Sequence, residues 1–195
     1  MSLSPAVHSF EEGSVFNEDV KIIYRDYGPK DAEPILLVQG LGGQLINWPD
    51  HLIDFLFFIN FRPIVFDNRD TGLSSRLTDD RFAEGNRSKT INSTYLKYYF
   101  RLPINPPYTL DDMASDAILI LDKLDIDKTH LLGMSMGGMI AQIIAANHSE
   151  RINSFTLIAS SISAPSPLNG PTRDVRRLLM KRSANPYSTN DERIE

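Results

Sequence analysis

Cysteine is absent from the 195 residues. Its absence excludes disulfides, thiolate metal sites and a cysteine nucleophile, and it suits a cytoplasmic protein, which is the expected location. A basic stretch is missing too. Twenty Lys and Arg stand against 25 Asp and Glu, giving a net charge of −5 with both signs mixed along the chain. Nothing offers the phosphate neutralisation that nucleic acid requires, so no nucleic-acid partner is expected. The opening MSLSPAVHSFEEG has no basic start followed by an apolar core, so it does not read as a secretory signal. No apolar run approaches the ~20 residues of a membrane span, and no membrane partner is expected. Histidine is scarce: only His8, His51, His130 and His148 are present.

What remains is ordinary globular material: 42% hydrophobic and 23% charged residues, with length for one domain. Residues 21–27 (KIIYRDY), 35–39 (ILLVQ), 63–67 (PIVFD), 130–134 (HLLGM) and 154–159 (SFTLIA) are short, β-branched or apolar, and read as strands. Helical patterns fall between them. One covers residues 47–59, with Asn47 as N-cap and Pro49 in the first turn. A second starts at Thr109, where Asp112 three residues on makes a near match to a capping box, and Met113, Ala117, Ile120, Leu121 and Leu124 supply its apolar stripe. A third covers 136–147, and a shorter helix is expected over 95–100. Apolar strands alternating with helices predict an α/β fold, a mostly parallel sheet with helices on both faces. After Ser160 the pattern fades. Residues 1–160 therefore read as the core. Residues 161–195 read as a linker and the start of a cap region, with a basic amphipathic helix at 172–182 and a polar tail.

Gly133-Met134-Ser135-Met136-Gly137 fits the Gly-x-Ser-x-Gly nucleophile pattern. Such a pattern arises by chance in a chain of this length with a probability of about 0.06, so its context matters. It falls between an apolar strand and an apolar helix, as a nucleophile elbow requires. A serine in a tight strand-to-helix turn projects its hydroxyl above the sheet, and Gly133 and Gly137 let strand and helix approach closely. Acyl transfer also needs two backbone N–H donors aimed at one oxygen. Met136, just after the serine, is one expected donor. Leu41, in the Gln39-Gly40-Leu41-Gly42-Gly43 loop after an earlier strand, is the other. The glycines do not bind phosphate, because no Walker lysine follows them and the Gly-x-Gly-x-x-Gly spacing is absent. No cofactor and no metal are expected.

Four blocks together, VQGLGG at 38–43, FDNRDTGLSS at 66–75, YTLDDMASDAILILDKL at 108–124 and LLGMSMGGMIAQIIAANHSERI at 131–152, resemble the serine-nucleophile α/β-hydrolase superfamily. Within it the chain looks closest to methylesterases of anthracycline polyketides and related esterases. Lipase-like and peroxidase-like members share the same blocks. The resemblance implies a serine hydrolase acting on a small-molecule carboxylic ester through an acyl-enzyme. Asp67, Arg69, Asp70 and Gly72 match the family's loop after the fourth strand, and their expected role is to fix that loop. Trp48 is expected in the core.

The family's order is Ser, then acid, then His. Only His148 follows Ser135, thirteen residues along the next helix and roughly 20 Å away. His130 lies roughly 16 Å back along the strand. His51 precedes the nucleophile and has no obvious acid. Where some members place an acid, after the strand ending at Ala159, this chain has Ser160, Ser161 and Ser163. Asp174 lies beyond the linker and is not assigned a catalytic role. The expectation is thus a hydrolase core truncated after its sixth strand, by truncation of a parent protein, by decay of the gene, or with a second chain completing it. Self-association through the exposed sheet edge is expected. The alternative is a non-catalytic fragment that binds small molecules or a partner on the same scaffold.

Overall fold

The computed structural model describes residues 9–77 and 102–161, together with Ser93, Thr94, Leu96, Lys97, Phe100 and Asp174. His8, all of the helix expected at 172–182 except Asp174, the tail and half of 95–100 lie outside the described residues. Six strands form one sheet: β1 (Phe10–Asn17), β2 (Val20–Tyr27), β3 (Glu33–Val38), β4 (Phe61–Phe66), β5 (Thr129–Met134) and β6 (Ile152–Ile158). Their order is β1-β2-β4-β3-β5-β6. The β1–β2 and β2–β4 pairs are antiparallel, and the β4–β3, β3–β5 and β5–β6 pairs are parallel. Among the described residues, the α-helices with full bounds are α1 (Asp50–Phe58), α2 (Leu110–Lys123) and α3 (Met136–Asn147). None of the described helices is long and apolar enough to cross a membrane.

The central strands are apolar on both faces because each face is covered. Along β3, Leu36 and Val38 join one core, with Ile22, Ile64, Phe66, Ala117, Leu121, Ile140 and Ile144 from neighbouring strands, α2 and α3. Ile35 and Leu37 point the other way, to Ile23, Trp48, Ile53, Leu56 and Val65 beneath α1. This two-residue alternation gives β3 two cores. Trp48 is buried there, as expected.

Three readings of the sequence need correction. First, β1 is a strand that no sequence pattern announces. It is an edge strand whose exposed pattern contains a glycine and two glutamates, and its hairpin turn is Glu18-Asp19 between the paired Asn17 and Val20. Glu18 supplies the positive φ, 54°, that glycine or asparagine usually supplies. Second, α1 starts later than expected, with Pro49 as its N-cap. Asn47 instead ends a 3-10 turn, Leu45–Asn47, where its Oδ1 accepts the Gln44 N–H at 2.8 Å. Third, β6 is not covered on both faces. Most of its residues are exposed, while its outer edge, without a strand partner among the described residues, is the exposed edge expected from the sequence. The Thr109 cap forms as expected: the Asp112 N–H donates to Thr109 Oγ1 at 3.3 Å, and the Thr109 N–H donates to Asp112 Oδ2 at 2.7 Å.

Candidate active site

The parallel strands deliver four chain segments to their shared C-terminal edge: the loop after β3, the loop after β4, the β5–α3 junction and the end of β6. Ser135 occupies the junction. It is the N-cap of α3, with φ 54° and ψ −119°, a region that non-glycine residues avoid at a cost of about 1–3 kcal/mol. Its side chain is exposed. Its N–H donates to Ile158 O at 2.9 Å, and its carbonyl accepts the Gly138 N–H at 3.0 Å. The elbow glycines are required by proximity. A Cβ on Gly133 would lie 2.6 Å from Gly137 O, and one on Gly137 would overlap the Val38 carbonyl. Strand β5, helix α3 and the end of β3 therefore touch backbone to backbone.

The loop after β3 lies against the serine. A Cβ on Gly40 would be 3.1 Å from Ser135 Cβ. Gly43 N–H donates to Gly40 O at 3.0 Å, and Gly42 has φ 69°, so Leu41 is the second residue of a β-turn whose closing bond does not use its N–H. The loop is held from below. Gln39 is buried, its Oε1 accepts the Gly40 N–H at 3.2 Å, and its carbonyl accepts Asn68 Nδ2 at 3.2 Å.

The loop after β4 is tied down as the sequence suggested. Asp67 Oδ1 accepts the Leu45 N–H at 2.7 Å and Oδ2 the Leu73 N–H at 2.9 Å. Burial pushes the Asp67 carboxyl above its ordinary range, and the bonds from Leu45 and Leu73 only partly counter that. Arg69 pairs with Asp116 of α2 through Nε at 2.8 Å and Nη2 at 2.6 Å, both side chains buried, and Asp116 also accepts Asn17 Nδ2 at 2.8 Å. Asp70 Oδ1 accepts the Leu77 N–H at 2.6 Å, a structural bond.

The described histidines are occupied elsewhere or distant in the fold. His130 sits near the start of β5, opposite the Ser135 end. Its Nδ1 is 2.6 Å from Ser154 Oγ and its Nε2 3.3 Å from Glu33 Oε1. This serine–histidine–glutamate set was not foreseen. Its only sequence signal is three polar residues at the starts of neighbouring strands. His148 caps the far end of α3, near Glu150 at 3.9 Å. His51 is exposed on the first turn of α1. Sequence reasoning also missed the bond from Ser160, whose Oγ–H donates to Ser135 O at 2.8 Å.

Residues 33–188 match the model of the alpha/beta hydrolase fold family. The chain belongs to that family. It is 32% identical over 130 residues to rhodomycin D methylesterase DauP of Streptomyces sp. (strain C5), an overlap of 67% of this chain and 35% of that protein. It is 28% identical over 157 residues to the putative carbamate hydrolase RutD of Variovorax paradoxus (strain S110), covering 80% of this chain and 48% of the relative. Among solved structures, a carboxylesterase structure from the thaumarchaeon Nitrososphaera gargenis superposes with a TM-score of 0.65 at 21% identity, covering 91% of this chain and 54% of that one; this likeness speaks for the fold. The chain spans less than half the length of the curated relatives it matches.

Proposed function

We propose that this chain supplies the nucleophile end of a serine hydrolase that cleaves small carboxylic esters. The observation that carries the reading is Ser135 itself: an exposed serine with φ 54° at a strand-to-helix junction, in a conformation the surrounding backbone contacts over-determine. In the reaction, Ser135 Oγ attacks the ester carbonyl carbon and gives its proton to a base. The carbon–oxygen bond to the alcohol then breaks, and the alcohol leaves with that proton. Water next cleaves the acyl–serine ester, releasing the acid and restoring the hydroxyl. The N–H groups of Leu41 and Met136 are the proposed donors to the oxyanion. The base and its acid are assigned to parts of the protein outside the described residues. Methylesterase and carbamate-hydrolase relatives support attack at an acyl carbon, and the higher identity to the methylesterase favours an ester.

The test is a short-chain fluorophosphonate, with which Oγ forms a bond to phosphorus as fluoride leaves and the hydroxyl proton passes to buffer. An adduct mapped to Ser135, absent from Ser135→Ala and formed faster when free imidazole is added as a base, is the expected result. No adduct at Ser135, even with imidazole, overturns the reading. A second reading, a small-molecule-binding fragment without turnover, draws on the occupied His130 and His148. It predicts ligand binding with no adduct.

A further inference from the structure

We propose that Ser160 is a positioning residue that aims the Met136 N–H at the oxyanion. The proposal rests on reading Ser135 as the nucleophile, and it assigns a role to a residue beyond that reading.

The argument begins with one peptide unit. Ser135 C=O and Met136 N–H belong to the same planar group and point to opposite sides of it. Fixing the carbonyl therefore fixes the N–H. That carbonyl accepts two hydrogen bonds, from Gly138 N–H at 3.0 Å and from Ser160 Oγ–H at 2.8 Å. The first belongs to the opening turn of α3. The second comes from outside the helix, from the segment just beyond β6.

Sheet order gives the direction. β5 lies between β3 and β6, so the Gly40–Leu41 loop and Ser160 flank Ser135 from opposite sides. A carbonyl drawn toward the β6 side turns its amide N–H toward the β3 side, where the other proposed donor sits. A bonded carbonyl also polarises its own amide and strengthens the N–H as a donor.

The segment is built to place this hydroxyl. Ala159 has φ 50°, which turns the chain at the end of β6. Gln142 Nε2 holds the next residue through Ser161 O at 3.1 Å. A Cβ on Gly138 would lie 2.5 Å from both Cβ and Oγ of Ser160, so the hydroxyl reaches Ser135 only because residue 138 has no side chain.

Two readouts test this on the full chain: the limiting rate of Ser135 labelling by a short-chain fluorophosphonate, and the amide resonance of Met136. Ser160→Ala is expected to lower the limiting rate about tenfold, the scale of one hydrogen bond used in the transition state. The probe's prior binding and the melting temperature stay near wild type, and the Met136 amide resonance moves. Ser160→Thr, which keeps the hydroxyl, restores both. Gly138→Ala, which displaces the hydroxyl by another route, lowers the rate in the same way. A wild-type rate in Ser160→Ala overturns the proposal whatever the resonance does. If wild-type protein takes no label, the nucleophile reading falls on its own. The resonance then decides Ser160: a shift in Ser160→Ala supports the role, and an unmoved one overturns it.

Discussion

Ser135 and Ser154 stand at opposite ends of the same strand pair. Ser154 has what chemists look for first: a histidine nitrogen at 2.6 Å, with a glutamate oxygen 3.3 Å from that histidine's other nitrogen. Ser135 has neither among the described residues. Yet Ser154 lies within strand β6, opposite His130 and just past a register shift. The backbone around it is extended and next to a register irregularity at the edge of the sheet, with neither a strand-to-helix turn nor a helix start beside the hydroxyl. Ser135 has the strained turn, the adjacent glycine loop and the helix start. The comparison separates two requirements of a nucleophile that are often described together. A hydrogen-bonded base raises the reactivity of a hydroxyl, whereas backbone placement decides whether a tetrahedral intermediate has anywhere to form.

The sharpest break of this comparison is chemical. Ser135→Ala should abolish fluorophosphonate labelling, while Ser154→Ala and His130→Ala leave it unchanged, as read by mass spectrometry of the intact chain. An adduct on Ser154 would reverse the ranking of the two ends. Next in size are the buried ion pairs, because each end has one. Arg62 grips Asp26 at 2.8 and 2.6 Å near the Ser154 end, and Arg69 grips Asp116 with the same spacing near the Ser135 end. Removing either carboxylate leaves a buried guanidinium unpaired, at a cost of about 3–5 kcal/mol in denaturant unfolding. Only Asp116→Ala should also slow Ser135 labelling, since it frees the loop after β4. Equal slowing by Asp26→Ala would show that the two ends are not independent.

The smallest expected effect concerns pH. The Thr109 N–H and hydroxyl hold the Asp112 carboxyl below its ordinary range. A depressed carboxyl contributes stability above its unfolded pKa and loses it as pH falls through the folded one. Asp112→Ala should therefore cost about 0.5–1 kcal/mol at neutral pH and nothing in strong acid. Asp67 has the opposite sign. Burial raises its pKa, so its contribution is full below the unfolded pKa and is lost as pH rises through the folded value. Melting curves across the acid range, wild type against Asp112→Ala, separate the two.

Much of the candidate site's local geometry was legible because its signals are local. The Gly133–Gly137 turn is five consecutive residues, the glycine loop another five, and the Thr109–Asp112 cap four. The central strands announced themselves through apolar runs, since each is buried on both faces. What stayed hidden depends on distant partners. β1 looks unremarkable until β2 pairs with it, and its turn uses Glu18 where a glycine would have been noticed. Ser160 read as one of several serines at a vacant acid position. Its bond to Ser135 spans 25 residues and exists because β6 lies beside β5. The Ser154–His130–Glu33 set likewise needs β3, β5 and β6 side by side.

The backbone at Ser135 places the proposed chemistry and thermal robustness in competition. At φ 54° and ψ −119° a glycine would rest at ease, and replacing the serine by glycine would relieve part of the roughly 1–3 kcal/mol of strain. A library of this chain screened only for survival of heating would thus favour a glycine at residue 135, erasing the hydroxyl on which the proposed function rests. A stability selection on this protein has to carry a reactivity screen beside it.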